Sequence, residues 1–190
     1  MVLQDSIFEN LTYKQWDKAL RAKVQTTQNL HNQLPSNLDF FILLSSLAGI
    51  VGSVSQSNYA AGNTFQDAFA AYRQSIGQRA TSLDLGYMTD VGIVAETRKY
   101  ASRAQQIADF GSIGIRESEF HALIEVYCDT ALHSDEHSPG LAARNGYQLL
   151  VGLTTPGQLI ANGIHPPEWL EERNLFDTLR GQQDLGLVYN

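Results

Sequence analysis

Phe40-Phe41-Ile42-Leu43-Leu44-Ser45-Ser46, followed after a Gly-containing loop by Tyr59-Ala60-Ala61-Gly62-Asn63, decides how this chain is read. An unbroken apolar run ending in hydroxyl residues has the composition of a parallel strand covered on both faces. The stretch after it carries Phe65, Ala68, Phe69 and Tyr72 at helical spacing. In α/β sheets the chemistry gathers just beyond the carboxyl ends of the strands. Ser46 at a strand end and Tyr59 at a helix start are therefore expected to face one cleft.

A hydroxyl and a phenol in one cleft suit reduction of a ketone by a hydride. Serine polarises the carbonyl, and tyrosine protonates the forming alkoxide. A free phenol has a pKa of about 10, so it serves as an acid near neutrality when a cation stabilises its phenolate. The candidate cation is Lys23, on the preceding helical stretch and 36 residues before Tyr59. Asn63, four positions after Tyr59, shares its helical face and is placed to hold a carbonyl or an ordered water of a proton relay.

The most specific stretches are Arg21-Ala22-Lys23-Val24-Gln25, Ser45-Ser46-Leu47-Ala48-Gly49 and Gln56-Ser57-Asn58-Tyr59-Ala60-Ala61-Gly62-Asn63. Through them, from Met1 to Leu153, the chain resembles the second half of a ketoreductase domain of a polyketide synthase. It is most like those of fungal highly reducing type I synthases, within the short-chain dehydrogenase/reductase superfamily. Ordinary members of that superfamily carry lysine four residues after the tyrosine. Here that place holds Asn63, with Lys23 upstream, an exchange that marks the polyketide and fatty-acid synthase ketoreductases.

The resemblance implies a role for each residue. Ser46 would be the carbonyl donor, Tyr59 the proton donor, Lys23 the residue that tunes the relay and Asn63 its support. Gly86, Met88 and Thr89, in Gly86-Tyr87-Met88-Thr89, stand where the family holds the nicotinamide carboxamide. The implied cofactor is NADPH. The implied substrate is a β-ketoacyl thioester on the phosphopantetheine arm of an acyl carrier protein, reduced to the β-hydroxyacyl thioester. The carrier protein and the remaining synthase domains would be the partners. Leu3-Gln4-Asp5 sits at a stereochemical signature, and Val51 stands where the opposite type has tryptophan, which leans toward the first stereochemical type.

Family ketoreductases begin with a strand, a Gly-rich turn and a helix whose N-terminus receives the cofactor pyrophosphate. No G-x-G-x-x-G occurs in this sequence, and Gly49-Ile50-Val51-Gly52 lacks the spacing. The expected fold is therefore α/β, a partial Rossmann-like doubly wound parallel sheet: the last three strands with their helices, the N-terminal nucleotide-binding half missing. Met1 matches an internal family methionine, so a truncated product or gene-model fragment, inactive in isolation, is the expectation. A non-catalytic remnant of a synthase is the competing class. Strand 40–44 would then lose a partner and expose an apolar edge.

Composition agrees with a globular cytoplasmic enzyme: 190 residues, 43% hydrophobic and 17% charged. A net charge of −7 argues against a nucleic-acid surface, and no window approaches a transmembrane span. Cys128 has no internal disulfide partner and is expected to be a buried thiol.

Along the chain, Thr12-Tyr13-Lys14-Gln15 reads as a capping box opening one helix to about Leu30, stopped by Pro35. A strand at 39–45, a helix ending near Gly77 and a strand at 80–85 follow. Helices over 96–110 and 116–132, joined through Gly111-Ser112-Ile113-Gly114-Ile115, are expected to form a lid over the cleft. His133-Ser134-Asp135-Glu136-His137 is a solvated loop without a third convergent metal ligand, so no metal site is expected. A strand at 147–153 closes a ketoreductase region of 1–153. Residues 154–190 read as an irregular tail with a short helix over 169–180.

Overall fold

The computed structural model describes residues 2–96, 113–130, 146–161, 163–166 and 168. They fall into two compact units. One comprises Met1–Leu85 with Ser118–Val151, and the other Gly86–Glu117 with Gly152–Asn190.

In the first unit the capping box forms as the sequence predicts. The Thr12 hydroxyl accepts from the Gln15 backbone N–H at 3.3 Å, and Gln15 Oε1 accepts from the Thr12 backbone N–H at 3.0 Å. Two orphan donors are thereby satisfied at the start of α1 (Tyr13–Leu20). The predicted uninterrupted α-helix is corrected at its middle, where a π-helical turn, Arg21–Gln25, joins α1 to α2 (Thr26–Gln33). Such turns reset the facing of the side chains they carry, and this one carries Lys23. Leu34 then turns extended, as the residue before a proline must.

Three strands follow: β1 (Ile42–Ser46), β2 (Thr81–Leu85) and β3 (Gln148–Val151). They pair in parallel in the order β1-β2-β3, with Ser45 opposite Asp84 and Asp84 opposite Leu150. Parallel neighbours need a crossover. The β1-to-β2 crossover is a short helix α3 (Ala48–Val51) and the long helix α4 (Ser57–Ser75), after which Gly77 takes φ +74°. Phe41 and Leu43 of β1 pack under Ala70 of α4 with Ala80, flanked by Leu38, Phe69 and Tyr147. This is the expected partial Rossmann-like sheet.

Thr81 donates to the Phe41 carbonyl and Leu47 to the Leu85 carbonyl, so the odd residues of β1 point their peptide groups at β2. The even ones face an edge with no strand beside it among the described residues, where Leu44 is 45% exposed. The apolar edge anticipated from sequence is thus present.

Helix α6 (Glu117–Cys128) buries Tyr127, but Cys128, its last residue, is only half-buried. The expected buried thiol is corrected: Cys128 stands at the helix end and is partly exposed.

In the second unit, helices α5 (Gly92–Glu96) and α7 (Pro156–Ala161) accompany an isolated parallel bridge between Met88 and Ile115. A Cβ at Gly114 would collide with Thr89 and Tyr87, so this close approach needs glycine. The predicted helix over 97–110, Gly111 and Ser112, the loop at 133–137 and the helix over 169–180 lie outside the described residues. Among the described residues no helix is long and apolar enough to cross a membrane, and no acidic, His or Cys cluster forms a metal site.

Candidate active site

The site is built on the first turns of α4. Asn58, 1% exposed, accepts the Tyr59 backbone N–H on its Oδ1 at 2.8 Å. Its Nδ2 donates to the Gln4 carbonyl at 3.0 Å and the Gln15 carbonyl at 3.4 Å. One buried amide thereby ties the start of α4 to the N-terminal segment and to α1, and sets the position of Tyr59. Nearby, Gln56 Nε2 donates to Asp5 Oδ1 at 3.0 Å.

Ser46 and Asn63 are the polar side chains that act on the Tyr59 phenol, each lowering its proton affinity, as expected of a shared cleft. Asn63 is fully buried. Its Nδ2 donates to the Tyr59 carbonyl at 2.8 Å, and its Oδ1 has no hydrogen-bond partner among the described residues. A buried amide oxygen without a donor is costly.

The adjacent serines are given opposite tasks. Ser45, 5% exposed, lies under α4, and its hydroxyl donates to the Asn63 carbonyl at 3.3 Å. Ser46, the last residue of β1, accepts the Ala48 N–H at 3.3 Å and reaches the phenol. Strand alternation forces the split, since neighbours point to opposite faces.

Lys23 arrives from the π-helical turn and lies across α4 where Gly62 makes room: a Cβ there would sit 3.2 Å from its Cδ. Its ammonium donates to the Leu44 carbonyl on the open edge of β1 and to Gln66 Oε1, each at 2.7 Å. It stands 5.6 Å from the centre of the Tyr59 ring. Burial lowers its pKa to about 8, against the opposing pull of Asp67 and Asp84.

The phenol does not follow the expectation of a cation-acidified tyrosine. Burial raises the Tyr59 pKa, and the hydrogen bonds from Ser46 and Asn63 offset only part of that rise. The physical reason is burial, which penalises the phenolate more than Ser46 and Asn63 favour it.

Sequence reasoning passed over Gln66, although it lies seven positions after Tyr59 and three after Asn63, on one helical face. Asp84 was also missed. A carboxylate inside the apolar strand Ser82-Leu83-Asp84-Leu85 was the signal.

Gly86, Met88 and Thr89 belong to the second unit. Ile115 donates to the Tyr87 carbonyl at 2.9 Å, and Thr89 donates from its N–H and its hydroxyl to the Ile115 carbonyl at 2.9 and 3.3 Å. In a bridge of this kind the peptide groups of the central residue, Met88, face away from its partner. That extended backbone has the donor and acceptor pattern a carboxamide pairs with.

Comparison with known proteins agrees with this geometry. Residues 1–90 match the family model described as KR domain. The chain is 45% identical over 172 residues to Highly reducing polyketide synthase 2 of Gibberella zeae, covering 90% of this chain and 6% of that protein. It is 38% identical over 188 residues to Highly reducing polyketide synthase 40 of Fusarium mangiferae, covering 97% of this chain and 7% of that protein. Two solved structures share the fold at 24% identity. One is the ketoreductase from the first module of phoslactomycin biosynthesis in Streptomyces sp. HK803, with TM-score 0.64 over 91% of this chain and 37% of that one. The other is an A-type ketoreductase from a modular polyketide synthase, with TM-score 0.66 over 94% and 34%. Residues 1–90 belong to the KR-domain family, and the chain is similar to a stretch of fungal highly reducing polyketide synthases. It spans under a tenth of the length of those relatives.

Proposed function

We propose that this segment supplies the catalytic half of a ketoreductase that reduces a β-ketoacyl thioester, presented by an acyl carrier protein, to a β-hydroxyacyl thioester. The observation that carries the reading is the convergence of Ser46 and Asn63 on the Tyr59 hydroxyl. NADPH, when bound, would supply the hydride, and Gly86, Met88 and Thr89 are the residues proposed to hold its nicotinamide end. Ser46 donates to the substrate carbonyl oxygen. Tyr59 protonates that oxygen as it becomes an alkoxide, and its raised pKa keeps it in the acid form the step requires. Asn63 fixes the phenol, and its partnerless Oδ1 is an acceptor available to a proton relay. Lys23 stabilises negative charge on the phenolate once the proton has left.

Since this sequence carries no glycine-rich pyrophosphate turn, the 190-residue chain by itself is proposed not to turn over. The test joins it to the glycine-rich half of a related ketoreductase and follows NADPH absorbance on adding a β-ketoacyl thioester, with Lys23→Met as control. Turnover that depends on Lys23 is expected. A soluble assembly that binds NADPH without turnover would sink the catalytic reading in favour of a non-catalytic remnant.

A further inference from the structure

Beneath the site lie two carboxyl groups for which the proposed reaction has no use. Asp67 of α4 is 7% exposed and Asp84 of β2 is 0% exposed. The Ser82 hydroxyl donates to Asp67 Oδ1 at 2.6 Å, and Gln148 Nε2 donates to Asp84 Oδ2 at 2.8 Å. Ser45 stands directly opposite Asp84 in the β1–β2 ladder. The other two oxygens, Asp67 Oδ2 and Asp84 Oδ1, have no donor among the described residues. Ser82 and Asp84, two apart on β2, share one face of the strand, so the bond from Ser82 brings Asp67 beside Asp84.

Two full charges side by side and this deeply buried repel strongly, and a proton between the carboxyls relieves that. One proton satisfies both orphan oxygens and leaves one negative charge. Among the described residues, neighbours of the pair come from four elements. β1 brings Ser45, β2 Ser82 and β3 Gln148, all neutral, and the π-helical turn brings Lys23, whose ammonium both carboxyls stabilise.

We propose that Asp67 and Asp84 share one proton and act as positioning residues, setting a single buried negative charge behind Lys23 that keeps its ammonium charged. The use of that charge in catalysis rests on the ketoreductase reading; the shared proton does not. Burial and the Asp67 carboxylate both raise the Asp84 pKa, the direction a retained proton requires. Asparagine at either position should mimic the protonated partner. Its amide can donate to the remaining carboxylate, so the single charge survives. Replacing both removes it.

The experiment uses the 190-residue chain and NMR titration. It follows the side-chain carboxyl 13C of aspartate and the Lys23 Nζ resonance, assigned with Lys23→Arg. In the unsubstituted chain, one proton should be retained on the pair at pH values where exposed aspartates are ionised. Asp84→Asn and Asp67→Asn should each abolish that step and leave the Lys23 titration in place. The double variant should lower the Lys23 pKa by about one unit or more, the size of shift one neighbouring charge produces. A pair that ionises with the exposed aspartates overturns the proposal, and that titration needs no variant to fold. So does a single variant that moves Lys23 as far as the double one. Neither readout needs turnover. A shared proton in a chain whose assembled form reduces no ketone would therefore condemn the ketoreductase reading alone.

Discussion

The two halves of α4 bury polar side chains for opposite reasons. In the C-terminal half, Arg73 is 1% exposed. Its Nε donates to the Arg79 carbonyl at 3.2 Å, its Nη1 meets His31 Nδ1 at 2.7 Å, and its guanidinium lies 4.1 Å from the centre of the Phe41 ring. These contacts are with a backbone carbonyl, a ring face and a neighbouring helix, and they fasten α4 to α2 and β1. In the N-terminal half, burial and the Ser46 and Asn63 side chains set the proton affinity of the Tyr59 hydroxyl, and Asn63 Oδ1 has no donor among the described residues. One half uses burial to hold the helix in place. The other surrounds a phenol proposed to give up its proton.

The sharpest way to break this comparison is Tyr59→Phe in the assembly with a cofactor-binding half. Turnover should fall by about 10²–10⁴-fold, the usual worth of a general acid, with an unchanged urea midpoint. A loss of only about twofold would remove Tyr59 from the mechanism. Arg73→Ala should do the reverse, lowering unfolding free energy by about 2–4 kcal/mol through lost packing and stranded hydrogen-bond partners. Chemical denaturation of the chain checks it, and a neutral result would dissolve the contrast between the halves.

The adjacent serines sharpen it at smaller amplitude. Ser46→Ala should cut turnover by about 10²-fold, on the scale of losing one oxyanion donor. Ser45→Ala should instead cost about 1 kcal/mol of stability by freeing the Asn63 carbonyl. Equal kinetic effects would mean that the wrong serine has been assigned.

The last effect is a pH dependence. The Asp84 pKa is raised in the folded chain, so its favourable contribution is present at acid pH and is lost as pH climbs through the folded value. Asp84→Asn carries no such titration. Its stability relative to the unsubstituted chain should therefore improve by about 1–2 kcal/mol between about pH 4 and neutrality, read from urea midpoints. A pH-independent difference would mean that Asp84 does not hold its proton.

The strands, α4 and the capping box were legible in the sequence because their signals are local: an apolar run, a helical period, a Thr-x-x-Gln spacing. Ser46, Tyr59, Asn63 and Lys23 were legible as residues, and the fold brings them to the start of one helix. The π-helical turn was not, because nothing in Arg21-Ala22-Lys23-Val24-Gln25 by itself disfavours a regular α-helix.

What the sequence by itself determined was the alternation of strand and helix and the kinds of group available for chemistry, since both follow from side chains within a few residues of one another. Only the tertiary structure decided which serine meets the phenol, which carbonyl receives Lys23 and that Asp67 and Asp84 meet. Those contacts depend on the parallel register of β1 with β2 and on α4 packing across them, which brings together residues 13 to 21 positions apart. Burial then sets the proton affinities, raising the phenol and lowering the ammonium, and burial exists only once the chain has closed on itself.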